Sequence, residues 1–73
     1  MDSDQLFSVL SRLPPKKIDG IGPAVFFSDI FSATNRNQWP KERIERELEH
    51  LEAAGRVEVF RLDGLITAAR VLP

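Results

Sequence analysis

The densest grouping of side chains able to do chemistry lies between positions 36 and 52. There Arg36, Asn37, Lys41, Arg43, Arg46 and His50 are interleaved with Glu42, Glu45, Glu49 and Glu52. Arginine and asparagine can make paired hydrogen bonds to guanine and adenine edges, and lysine and arginine neutralise phosphates. The carboxylates would suit a partner with a basic surface instead. Catalysis finds little support. His50 has no cysteine to activate, Ser3, Ser8, Ser11, Ser28 and Ser32 have no motif around them, and the glutamates fall on an exposed helix with no pocket to shift their pKa. With one His and no Cys, a metal cluster would have to be built from carboxylates, and neither a phosphate loop nor a dinucleotide fingerprint is present. The residues point to binding without a cofactor, a metal or an enzymatic step.

These groups need a scaffold, and the pattern around them supplies one. Ile44, Leu48 and Leu51 recur at helical spacing, which predicts a helix over residues 40–54. Pro40 fits its first turn, and Gly55 sits where a left-handed cap is commonly needed. Stepping about 100° per residue from the apolar face puts Arg43, Arg46 and His50 along one exposed edge and Glu42, Glu45, Glu49 and Glu52 along the other. Glu42 with Arg46 and Arg43 with Glu47 are also spaced as i,i+4 pairs, each worth only a few tenths of a kcal/mol. Trp39, at the helix entrance, either covers the core or anchors a partner.

Beyond Gly55, residues 56–62 and 65–71 are β-branched and apolar on either side of Asp63-Gly64, the strongest short hairpin signal. A two-residue turn would set Leu62 opposite Leu65, Arg61 opposite Ile66, Phe60 opposite Thr67 and Val59 opposite Ala68. Both faces of this hairpin carry apolar groups, so either is able to pack inward.

The first half is read the same way. Leu6, Val9, Leu10 and Leu13 form one stripe of a helix over residues 2–13, with Asp2, Ser3 or Asp4 as its N-cap and Pro14-Pro15 as its end. Residues 16–23 are turn-rich and cannot continue a helix, though Ile18 and Ile21 can anchor a short extended piece. Residues 24–33 carry Val25, Phe26, Phe27, Ile30 and Phe31, which suits a short buried helix with its phenylalanines in the core. A polar turn at residues 34–39 leads into the next helix.

The order helix, extended loop, helix, turn, helix, hairpin, together with the Leu48-x-x-Leu51-x-x-x-Gly55-x-Val57 passage, resembles the winged helix-turn-helix family over nearly the whole chain. The resemblance implies an α+β fold: a small winged helix of three helices with a C-terminal two-stranded β-hairpin wing, filling residues 1–73 as a single domain. It also implies double-stranded DNA as partner, bound by a small transcriptional or replication regulator whose third helix enters the major groove. Arg36, Asn37, Lys41, Arg43, Arg46 and His50 would then contact bases and phosphates, and Arg61 would be the wing's phosphate contact. The alternative within the same resemblance is a protein-interaction module, without DNA binding, using Trp39, Glu42, Glu45, Glu49 and Glu52 or the hairpin. A second, local resemblance links Ile18-Asp19-Gly20-Ile21-Gly22-Pro23 to the Gly-Ile-Gly-Pro hairpin of the helix-hairpin-helix family. It implies a phosphate held by the backbone at Gly20 and Gly22 beside a helix N-terminus.

Composition sets the outer limits. Seventy-three residues make one small domain near the lower limit of a core without staples, and the lack of cysteine fits a reducing cytoplasm. The acidic start lacks the regions of a signal peptide, and no apolar run approaches a membrane span of about 18 residues. A net charge of −1 and a pI near 5.7 are unlike the basic balance of most nucleic-acid-binding domains. A single copy would therefore bind DNA weakly, which makes a homodimer through the first helix or the hairpin an expectation of the DNA reading.

Overall fold

The computed structural model describes residues 3–35 and 38–73. Its elements follow one another as α1 (Ser3–Arg12), β1 (Lys16–Ile18), β2 (Gly22–Phe26), α2 (Phe27–Thr34), α3 (Lys41–Ala53), β3 (Val57–Leu62) and β4 (Leu65–Val71). The strands form one antiparallel sheet in the order β1-β2-β4-β3. The expected architecture of three helices carrying a C-terminal two-stranded wing is therefore corrected. The C-terminal hairpin is half of a four-stranded sheet, whose other half is a hairpin lying between α1 and α2.

The correction comes from residues 16–26. Glycine at two turn positions lets the chain reverse there: Gly20 and Gly22 have φ of 81° and 92°, and the Ile21 amide donates to the Ile18 carbonyl at 3.0 Å. Ala24, Val25 and Phe26, expected in a helix, instead extend β2, where Val25 lies opposite Ala69 and Phe26 opposite Ala68. Helix α2 begins only at Phe27, and Phe26 is its N-cap residue. The expected burial of the phenylalanines is corrected with it: Phe26 and Phe31 are 38% and 41% exposed.

Helix α3 forms for the reasons legible in its sequence, with one adjustment at its start. Pro40 is the N-cap residue, one position before the first turn, and its carbonyl accepts from the amides of Arg43 and Ile44 at 3.0 and 3.2 Å. At the other end Gly55 has φ 75°; its amide donates to Glu52 at 3.0 Å and that of Arg56 to Leu51 at 2.9 Å. These two bonds are the Schellman pattern, which satisfies carbonyls the helix would otherwise leave open. The hairpin turn is also as read: Asp63 and Gly64 both have positive φ, 54° and 79°, the geometry that matches strand twist.

The hairpin register holds for only two pairs. Leu62 faces Leu65 and Arg61 faces Ile66, but an irregularity between Phe60 and Arg61 moves Phe60 opposite Ala68 and Val59 opposite Ala69. Thr67 is the extra residue, and its hydroxyl donates to the Phe60 carbonyl at 3.3 Å. The shift decides that Ala69, and not Ala68, stands opposite Val59 on the inward face. Val57, Val59 and Ala69 join Val25 against Leu6 and Leu10 of α1, Ile30 of α2, Trp39, and Ile44, Leu48 and Leu51 of α3.

Three cations tie these parts together. Arg70 donates to the carbonyls of Ile21 and Pro23 at 2.9 and 3.5 Å and to Glu58 at 2.6 Å, with its guanidinium 5.1 Å from the Phe60 ring centre. It thereby fastens the first hairpin to the second. Arg56 pairs with Asp4 at 2.8 Å and lies 4.0 Å over Phe7, joining the turn after α3 to α1. Lys16 reaches Asp29 at 3.0 Å across β1 and α2.

Candidate binding surface

Helix α3 buries Ile44, Leu48 and Leu51 and turns the rest of its circumference outward. The acidic edge faces the tip of the C-terminal hairpin. Between them lies an open groove of about 420 Å³, lined by Glu42, Glu45, Arg46 and Glu49 from α3 and by Arg61, Gly64, Leu65 and Ile66 from the hairpin. At the tip Leu62 and Leu65, directly opposite one another, are 66% and 58% exposed, the most exposed large apolar side chains among the described residues. Two such leucines side by side form a small apolar patch at the tip, on the side of the hairpin opposite Arg61, and Leu65 also touches the groove.

Arg61 does not project from the wing as a phosphate contact would. Its guanidinium makes a two-pronged pair with Glu52, at 2.9 and 3.2 Å to the two carboxylate oxygens. Hydrogen bonding from Arg61 holds the Glu52 carboxyl below its ordinary value near 4.5, against the opposing effect of burial and with further help from the guanidinium's charge. The reciprocal hydrogen bond raises Arg61, desolvation opposes it, and the charges of Glu52 and Glu49 add to it. A depressed carboxylate stabilises the fold above its unfolded value and loses that contribution as pH falls through the lower folded value. Glu52→Gln should therefore flatten the decline of stability below about pH 4.5, seen as urea midpoints compared between acid and neutral pH. Identical acid profiles for the two proteins would show that the pair contributes nothing.

The other sequence-selected residues separate into distinct environments. Lys41 is exposed as the first residue of α3, and Arg46 is exposed on the groove wall. Arg43 is half-buried, its guanidinium 5.3 Å from the Trp39 ring centre. The His50 ring nitrogen Nδ1 lies 3.3 Å from Glu47 Oε1. Arg36 and Asn37 lie outside the described residues. Trp39 is 7% exposed within the core, so it packs the fold and offers little surface to a partner. Gly20 and Gly22 sit at the β1–β2 turn, with α2 starting several residues later at Phe27. The helix N-terminus that a helix-hairpin-helix phosphate site requires is not adjacent to them.

Leu62 and Leu65 were visible in the sequence only as strand partners. Their exposure depends on how far the hairpin overhangs the sheet, which no local pattern encodes. A further concavity of about 350 Å³ beside α1 is lined largely by apolar groups, among them Leu10, Leu13, Val25 and Val71, with Arg70 already engaged at its edge. Among the described residues no helix is long and apolar enough to cross a membrane, and no group of three or more His, Asp or Glu is placed to hold a metal ion. Comparison with protein-family models, with curated proteins and with solved structures finds no match.

Proposed function

We propose that this chain is a non-catalytic protein-interaction module that binds a basic partner through the outer face of α3 and the tip of the β3–β4 hairpin. One observation carries the reading: the groove beside α3 is walled by Glu42, Glu45 and Glu49 against a single cation left uncommitted among the described residues, Arg46, while the hairpin's own cation, Arg61, is already engaged by Glu52. A phosphate backbone laid there would meet like charge, whereas a basic protein surface would be attracted and oriented. The absence of cysteine suits work in the reducing cytoplasm.

A second reading, a small DNA-binding regulator of winged helix-turn-helix type, draws on the resemblance in element order and on the exposure of Lys41 and Arg46. It must bring DNA to the Arg43, Arg46 and His50 edge with the glutamates tilted away. Titration with random duplex DNA at low and moderate salt separates the two. The interaction reading predicts no salt-steep binding, and a partner recovered by pull-down that is retained by Arg43→Ala/Arg46→Ala and lost by Glu45→Lys/Glu49→Lys. Duplex binding that weakens steeply with salt and drops in the arginine variant would overturn it in favour of DNA.

A further inference from the structure

We infer that two copies of this chain associate face to face through the uncovered side of the β3–β4 hairpin, about a two-fold axis that runs along the strands between β3 and β4. The inference stands apart from the basic partner proposed above, because this contact leaves the outer face of α3 open.

Strand alternation defines the surface. Val57, Val59 and Ala69 point into the core beneath the helices, so Glu58, Phe60, Leu62, Leu65, Ala68 and Arg70 share the opposite face of the hairpin. The Arg70 guanidinium lies 5.1 Å from the Phe60 ring centre and 2.6 Å from Glu58, which places these side chains together. An antiparallel sheet with one face in water is ordinarily polar on that face. Here Leu62 and Leu65 are 66% and 58% exposed, and Phe26 on the neighbouring strand is 38% exposed, an apolar surface that no helix among the described residues covers.

Register identifies the occupant as a second copy. A two-fold axis along the hairpin lays each residue over the other copy of its own cross-strand partner, and those pairs are Phe60 with Ala68, Glu58 with Arg70 and Leu62 with Leu65. All three are complementary: a large side chain stands over a small one, a carboxylate over a guanidinium, and leucine over leucine. Moving the axis onto β4 would set Arg70 of one copy over Arg70 of the other, and moving it onto β3 would do the same with Glu58. Like charges would then face each other, so charge selects the axis between the strands.

Charge also argues against other occupants. Arg70 and Glu58 neutralise one another on this face, which leaves no excess of cations for phosphates or anionic lipid and no spare carboxylate for a basic segment. Area sets the strength. Two strands ~4.8 Å apart, each of about six residues at ~3.3 Å, offer a strip well short of the ~800 Å² that each partner buries in a standard stable complex. The dimer is therefore weak and concentration-dependent.

Sedimentation equilibrium and amide chemical shifts, followed from ~10 μM to ~1 mM full chain, test this in the range where small interfaces associate. The mass should rise from 8.3 kDa toward twice that value, with shifts at Phe60, Leu62, Leu65 and Ala68. Leu62→Lys/Leu65→Lys, at positions already in water, should weaken self-association at least tenfold while keeping the melting temperature of the dilute wild type. A one-to-one mixture of Leu62→Lys and Leu65→Glu chains should associate at least tenfold more tightly than either variant alone, because the axis sets position 62 of one copy over position 65 of the other. Glu45→Lys/Glu49→Lys, which the partner reading expects to abolish the pull-down, should leave self-association unchanged. A chain that stays at 8.3 kDa throughout, association that survives Leu62→Lys/Leu65→Lys, or a mixture no tighter than its components overturns the inference and leaves the partner reading standing. Shifts of the same amides in a monomeric chain on adding oligothymidylate or phosphatidylserine vesicles would overturn it in favour of a nucleic acid or a membrane.

Discussion

Replacing Trp39 with alanine is expected to remove about 3–5 kcal/mol, the usual cost of deleting a buried aromatic ring. Small domains sit at the lower end of a stability range of roughly 5–15 kcal/mol, so the variant should be largely or partly unfolded at room temperature. Three features of the site support a cost of that size. The ring is 7% exposed and belongs to the cluster that joins all three helices to the sheet. Trp39 immediately precedes the N-cap residue Pro40, and Ile44 is the fourth residue of the helix, so the two occupy the positions of a hydrophobic staple. Proline after it restricts the backbone of Trp39 to extended conformations, which sets the angle at which the chain enters α3. Urea unfolding followed by circular dichroism measures the effect. A loss under about 1 kcal/mol would mean that the ring is not a core residue and would reopen its reading as a partner anchor.

Leu48→Ala should cost about 3–5 kcal/mol by the same combination of lost burial and a residual cavity. Leu48 is fully buried at the centre of α3, the helix that packs on both α1 and β3. Leu48→Met, which keeps volume and apolarity, should cost under about 1.5 kcal/mol. Glu49, one residue on, is exposed on the groove wall, and Glu49→Ala should change stability by no more than about 0.5 kcal/mol. The contrast separates neighbouring residues of one helix: the Leu48 face holds the molecule together, and the Glu49 face, outside the core, is the one the proposed function assigns to a partner. Similar losses for Leu48→Ala and Glu49→Ala would contradict that division.

Legibility followed the range of the forces involved. The α3 stripe, the Gly55 cap and the Asp63-Gly64 turn depend on backbone preferences and periodicity within a few residues, and each is present as read. Residues 24–26 misled because Ala24, Val25 and Phe26 are apolar enough for either a buried helix or a central strand. What selects the strand is pairing with Ala68 and Ala69, more than forty residues away. The bulge that admits Thr67 has the same origin: it puts Ala69 rather than Ala68 opposite Val59, on the face the helices cover, while the turn keeps Leu62 opposite Leu65.

The candidate site divides along the same line. Its acidic and basic edges were apparent from a step of about 100° per residue along α3. Which edge faces the hairpin was not, because that depends on how α3 sits on β3 and how far the hairpin tip reaches. The Arg61 pairing with Glu52 likewise joins two elements whose spacing is set by the core.

Sequence alone therefore determined the local elements of the C-terminal half and the charge on each side of α3, because turn chemistry and helical periodicity are carried by neighbouring residues. Tertiary structure alone decided that the hairpin completes a four-stranded sheet, that Trp39 is buried, and that the acidic edge of α3 lines a groove beside the hairpin tip. Those outcomes come from packing and strand pairing between distant segments, where the burial of one shared core selects among conformations that each segment could adopt by itself.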